Sequence, residues 1–132
     1  MRPLLIGDVL SSAAQRLPNA VAASLDGELL TYGELERRAQ DLVDALLRAG
    51  VRRGDRVVWQ AETSLEPLPL YFATARIGAM FVPLNPRYTT EESERVIAHA
   101  EPVLKLGDAV SGHDSIASLL ARRGSDREGL RY

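Results

Sequence analysis

The chain has 132 residues, of which 45% are hydrophobic and 26% are charged, and its formal net charge is −2. These values are typical of a globular protein and exclude an intrinsically disordered chain. The small negative charge excludes the basic surface that binds nucleic acid, and the absence of cysteine excludes a disulfide scaffold and a thiol nucleophile.

The first predicted element is a helix over residues 4–17. Apolar residues recur along it at steps of four: Leu5, Val9, Ala13 and Leu17. Pro18 favours a helix end just before it. The apolar stretch is too short for a signal peptide or a transmembrane helix, so we expect a cytoplasmic protein without a membrane-spanning segment.

The next elements are a β-hairpin and a long helix. Residues 20–25 and 28–31 are two apolar runs around a two-residue Asp-Gly turn, which predicts a hairpin. Thr31 and Glu34 have the spacing of a capping box, in which each side chain binds a free backbone N–H at the helix start. Gly50 favours the helix end. The predicted core residues of this helix are Leu35, Leu42, Val43, Leu46 and Leu47.

The remaining pattern alternates strands with helices. We predict strands at residues 56–59, 80–84 and 102–106 and helices at residues 66–77, 89–99 and 115–123. This alternation is typical of βαβ units, so the predicted fold class is α/β with a mainly parallel sheet and right-handed crossovers. The second and third strands are apolar enough for us to expect burial on both faces.

By themselves, the residues of this chain indicate no catalytic chemistry. The glycines are too far apart for a phosphate-binding loop, and no serine lies in a nucleophile elbow. His99 and His113 have no metal-ligand pattern around them, and we expect both at the surface. No catalytic residue and no metal ligand are therefore predicted.

Four segments resemble, in order, the motifs of the adenylate-forming (AMP-binding) superfamily. They are residues 30–35 (LTYGEL), 48–57 (RAGVRRGDRV), 75–87 (ARIGAMFVPLNPR) and 89–97 (TTEESERVI). The superfamily includes acyl-CoA synthetases, luciferases and adenylation domains of nonribosomal peptide synthetases. The VPLNPR form is most similar to fatty acyl-CoA synthetases. Residues 60–64 (QAETS) depart from the Leu-Pro-Asn-like turn of relatives, so we expect a different local backbone there.

The resemblance implies that residues 1–132 are the N-terminal part of the large AMP-binding domain, an incomplete portion that lacks the ATP-binding core and the C-terminal domain. Relatives use ATP and Mg²⁺ to convert a fatty or other carboxylic acid to an acyl-adenylate, and then transfer the acyl group to coenzyme A. We expect these cofactors and substrates for the parent protein. Because the catalytic motifs of relatives lie downstream, this chain alone is expected to be an inactive scaffold that binds none of them.

Arg87 is the one candidate binding residue. It follows the Asn85-Pro86 turn at the end of a predicted strand, where open α/β sheets tend to bind ligands. A guanidinium there suits a phosphate of coenzyme A. The alternative interpretation is an ordinary surface arginine.

A second hypothesis for the whole chain is a non-catalytic, stand-alone module for binding or assembly, derived from the same fold.

A sheet that lacks part of its cover, as expected for an incomplete portion of the domain, would leave an edge and an apolar patch open. We therefore expect the chain to self-associate.

Overall fold

The computed structural model describes residues 6–107 and 112–122. The elements within these residues are α1 (Ile6–Arg16), β1 (Val21–Leu25), β2 (Glu28–Thr31), α2 (Tyr32–Arg48), β3 (Arg56–Trp59), α3 (Pro67–Ile77), β4 (Met80–Pro83), α4 (Thr90–Ala100), β5 (Leu104–Leu106) and α5 (Ile116–Ala121). The predicted order of helices and strands is confirmed. Positions 4 and 5 of the first predicted helix lie outside the described residues.

The predicted apolar stripe of α1 is only partly correct. Leu10 is buried against β2 and α2, whereas Val9 and Leu17 are half exposed or more. The buried position is thus Leu10 and not its neighbour Val9, on a helix that packs on both α2 and α3. The hairpin matches its prediction, since β1 pairs antiparallel with β2 and both Asp26 and Gly27 have positive φ, as the favoured two-residue turns require.

The capping box at the start of α2 is present. The Oγ1 of Thr31 accepts from the Glu34 backbone N–H at 3.2 Å, and Oε1 of Glu34 accepts from the Thr31 backbone N–H at 3.1 Å. The hydrogen bond from the Thr31 backbone is the main cause that lowers the pKa of Glu34. All five predicted core residues of this helix are buried: Leu35, Leu42, Val43, Leu46 and Leu47.

One charged residue of α2 contacts another helix. Glu36 forms an ion pair with Arg76 of α3, whose side chain is only 10% exposed. The same guanidinium donates to the Ser11 hydroxyl of α1 at 3.1 Å. Because most of this guanidinium is shielded from water, its hydrogen bonds fix the relative positions of the three helices.

The three-stranded sheet has the order β4-β3-β5, and β3 is parallel to both neighbours. Side chains of β3 alternate between the two faces. Val57 and Trp59 pack into the core formed with α2, α3 and α5. Gln60, just past the strand, points to the other face and contacts Ser93 of α4. The crossover helices α3 and α4 therefore cover opposite faces of the sheet.

The prediction that residues 80–84 and 103–106 are buried on both faces is wrong for the described structure. Met80 is 57% exposed and Val103 is 52% exposed. The reason is the strand order, which makes β4 and β5 the outer strands of the described sheet. Leu104 and Leu106 are buried, but Lys105 between them is exposed, so β5 is covered on one face.

The ends of the later helices follow local signals. Pro67 lies in the first turn of α3, and Gly78 ends this helix in the left-handed conformation with φ 84°. Thr89 caps α4 by accepting from the Glu92 backbone N–H at 3.1 Å. The Glu92 carboxylate accepts from the Thr89 hydroxyl and not from the Thr89 backbone N–H, so this cap is half of a capping box. Strand β5 and helix α5 are shorter than predicted.

Candidate functional site

The carboxyl ends of β3 and β4 form the candidate site. The chain leaves β3 toward α3 on one face of the sheet and leaves β4 toward α4 on the other. Open α/β sheets tend to bind ligands beside the carboxyl ends of strands whose connections diverge in this way. The residues at this position are Gln60 after β3 and the segment 84–88 after β4.

The segment after β4 is a hydrogen-bonded turn. The Tyr88 backbone N–H donates to the Asn85 carbonyl at 3.1 Å, and the Arg87 backbone N–H donates to Oδ1 of Asn85 at 2.9 Å. Asn at the first position and Pro86 at the second position are the residues that favour such a turn. Leu84 connects this turn to the sheet, because its backbone N–H donates to the Trp59 carbonyl at 2.8 Å.

Arg87 lies in this turn with an exposed side chain, as the sequence predicted. Among the described residues its guanidinium has no hydrogen-bond or ion-pair partner, so it is available to an external anion. Glu91 and Glu92 in the first turn of α4 interact favourably with the positive end of the helix dipole. The positive charge offered at this turn therefore comes mainly from Arg87.

Gln60 belongs to the same site and was missed from the sequence as a functional residue. Its side chain is 0% exposed. Nε2 donates to the Asn85 carbonyl at 3.0 Å and to the Ser93 hydroxyl at 2.9 Å. Oε1 is buried and has no partner among the described residues. The signal that could have found it is a glutamine placed directly after an apolar strand.

The backbone beside Gln60 is tightly packed. Gly107 follows β5 with φ 121°, and a Cβ at this position would lie 2.0 Å from the Gln60 carbonyl oxygen. The Gln60 backbone N–H donates to the Leu106 carbonyl at 2.9 Å, which extends the pairing of β3 with β5. Close approach of the two backbones therefore needs glycine at 107.

His113 lies in the loop between β5 and α5 and is half-buried. Desolvation is the main cause that lowers its pKa, and the charge of Lys105 acts in the same direction. Nδ1 is buried without a partner among the described residues. Neutral imidazole is thus favoured in the folded chain. The surface position expected for His113 is only partly correct, whereas His99 is exposed.

A cavity of about 270 Å³ lies between α2, α3 and α5. Its walls are mainly apolar, and charged side chains line it at Arg38, Asp41 and Glu66. Neither Gln60 nor Arg87 contributes to it.

Residues 6–107 and 112–122 contain no group of three or more acidic, His or Cys side chains that could hold a metal ion. In that part of the chain no helix is long and apolar enough to cross a membrane. Arg87 is the only predicted binding residue, and its exposed guanidinium fits a phosphate without forming an enclosed cradle.

A sequence model of the AMP-binding enzyme family matches residues 10–130. Feruloyl-CoA synthase from an Amycolatopsis species is 41% identical over 85 residues, which cover 64% of this chain and 17% of that protein. The chain spans less than a fifth of the length of such curated relatives.

Two solved structures have the same fold. An artificially fused adenylation–PCP di-domain, NpsA-ThdA from Klebsiella oxytoca, superposes with a TM-score of 0.80 at 28% identity, over 88% of this chain and 23% of that one. A protein assigned as a long-chain-fatty-acid CoA ligase, from Rhodopseudomonas palustris, gives a TM-score of 0.80 at 27% identity, over 94% of this chain and 37% of that one. The chain is thus similar in fold both to an adenylation domain and to a protein assigned as a coenzyme A ligase.

Proposed function

Because this chain belongs to the AMP-binding enzyme family, we propose that residues 1–132 form the N-terminal part of the large domain of an ATP-dependent ligase. The parent protein would convert a carboxylic acid, such as a fatty acid, to an acyl-adenylate with ATP and Mg²⁺. It would then transfer the acyl group to coenzyme A. Within that protein, this segment would be a structural part of the large domain without catalytic residues, and Arg87 would contact coenzyme A.

One observation carries this proposal. The four motif-like segments each lie at the start of an element or at a junction between elements. They form the capped start of α2, the turn into β3, the α3–β4 junction with the turn after it, and the start of α4. The third of them ends at the strand ends where α/β sheets bind ligands, and its last residue is an arginine without a partner in the described part of the chain. The feruloyl-CoA synthase and the R. palustris protein support a coenzyme A ligase.

The first test measures adenylation directly. We expect the 132-residue chain to show no acid-dependent exchange between ATP and pyrophosphate, because its sequence holds no phosphate loop and no catalytic lysine. A longer polypeptide that contains the chain and these motifs should show exchange with its acid. A panel of fatty and aromatic acids would identify the substrate class. Exchange by the short chain, in a preparation free of host ligases, would contradict the scaffold role.

The second test addresses Arg87 in the parent protein. Arg87→Ala removes the proposed phosphate contact, so we expect the KM for coenzyme A to rise about tenfold, which corresponds to about 1.4 kcal/mol. Adenylate formation should be unchanged. Arg95→Ala is a suitable control, since Arg95 is also exposed and pairs only with Glu91 on its own helix. Unchanged coenzyme A kinetics in Arg87→Ala would assign Arg87 to the ordinary surface.

We also propose that the 132-residue chain self-associates through the outer edge of β4. This strand has an unpaired edge among the described residues, and exposed Met80 lies on it beside half-buried Phe81. Sedimentation equilibrium at micromolar concentration should show a species heavier than 14.4 kDa. Met80→Lys should weaken the association, because a charge on an edge strand opposes pairing. A stable 14.4 kDa monomer would favour the stand-alone module instead.

A further inference from the structure

Gln60 connects three elements through one amide group. Nε2 donates both to the Asn85 carbonyl of the turn after β4 and to the Ser93 hydroxyl of α4, while the backbone of Gln60 continues β3. The Asn85 carbonyl also accepts from Tyr88 across the turn. Gln60 therefore binds the atom around which the turn is built.

The orientation of this amide is fixed by its partners. The Asn85 carbonyl can only accept, so the nitrogen of the amide must face it. The opposite atom, Oε1, is then buried without a donor among the described residues. A buried acceptor without a partner destabilises the folded state. An apolar side chain of similar volume would remove this unpaired acceptor but would also leave the buried Ser93 hydroxyl without its donor. Because the two effects oppose each other, we expect only a small net contribution of Gln60 to global stability.

We propose that Gln60 is a positioning residue that holds the turn of residues 85–88, and with it Arg87, at the carboxyl ends of β3 and β4. The second hydrogen bond of the amide goes to Ser93 of α4 and not to the turn. Any effect of Gln60 on coenzyme A binding rests on the proposed function of Arg87. The stabilisation of the turn by the Gln60 hydrogen bond is a property of this chain alone, and it can be measured without coenzyme A.

Hydrogen exchange of the 132-residue chain tests the proposal. Gln60→Leu keeps most of the volume and removes the donor. We expect the amides of Arg87 and Tyr88 to exchange about tenfold faster, while the amides of α2 keep their protection and the unfolding midpoint changes little. Ser93→Ala is the matched control, because it leaves the bond to the Asn85 carbonyl in place and should preserve the protection of the turn.

Gln60→Glu supplies a readout that depends on the donor alone. A protonated carboxyl can donate to the Asn85 carbonyl, but a carboxylate cannot. Burial raises the pKa of such a group, so turn protection relative to the wild-type chain at the same pH should be present at low pH and lost as pH rises. The test therefore holds even if Gln60→Leu folds poorly.

Two results would overturn the proposal. One is unchanged exchange at Arg87 and Tyr88 in a folded Gln60→Leu chain. The other is a Gln60→Glu chain whose turn protection does not depend on pH. Failure of the Arg87 prediction is separate from both, because it would be recorded as an unchanged KM for coenzyme A in the parent protein while the exchange pattern of this chain stays as expected.

Discussion

Gly107→Ala should destabilise the fold by more than about 4 kcal/mol, because two costs add at this position. The first is backbone strain, since φ of 121° is a conformation that side chains rarely adopt. The second is the clash between the new Cβ and the Gln60 carbonyl oxygen, which would be 2.0 Å apart. Neither backbone can move away without breaking the pairing of β3 with β5. Since a typical domain stability is about 5–15 kcal/mol, this loss is a large part of the total, and the midpoint of unfolding should fall strongly.

The measurement is urea unfolding followed by the fluorescence of Trp59, the single tryptophan of the chain. Gly50→Ala is the matched control, because Gly50 also has a positive φ, of 95°, but nothing lies within 4 Å of its added Cβ. This control should lose only about 1–2 kcal/mol, the cost of the left-handed conformation. Equal losses in the two variants would show that close approach to Gln60 does not matter.

Leu46→Ala is the second large effect that we expect. Leu46 is 0% exposed and belongs to the cluster that joins α2 to Val57 and Trp59 of β3. Removing three carbon atoms from a closely packed core loses the transfer energy and leaves a cavity, which together cost about 2–5 kcal/mol. The unfolding midpoint in urea should therefore fall strongly, with little change in the slope of the transition.

The control for this variant is Leu29→Ala. Leu29 is the same residue type, but it is 58% exposed on the outer side of the hairpin. Its truncation should change stability by no more than about 0.5 kcal/mol. Similar losses at the two positions would mean that Leu29 is covered in solution, which would agree with association of the chain through the hairpin and contradict the β4 edge.

Sequence signals that act over a few residues predicted the structure well. The Asp26-Gly27 turn, the Thr31–Glu34 capping box and the end of α2 before Gly50 each depend on hydrogen bonds or dihedral angles within one turn of the chain. The parallel sheet followed from the alternation of strands with helices. Arg87 was correctly expected after a strand end, but its role stays a prediction.

Other features depend on which elements become neighbours, and the sequence pattern does not contain that information. The exposure of Met80 follows from the outer position of β4 in the sheet, not from its apolar character. The Gln60–Ser93 hydrogen bond joins residues 33 positions apart, and it exists only because α4 crosses the face of the sheet to which Gln60 points. The ion pair of Glu36 with Arg76 is of the same kind, since the two residues lie on different helices.

Two polar side chains on the face of the sheet covered by α4, those of Arg56 and Gln60, have a further consequence for this helix. Arg56 at the start of β3 donates to the carbonyls of Ala100 and Glu101 at the end of α4, at 2.7 and 3.0 Å. Gln60 at the other end of the strand binds Ser93, the one residue of this helix that is fully buried. Directional bonds at both ends prevent the helix from sliding or rotating on the sheet, which apolar contacts alone would resist weakly. We therefore expect α4, despite its exposed surface, to open together with the central strand as one cooperative unit instead of fraying on its own.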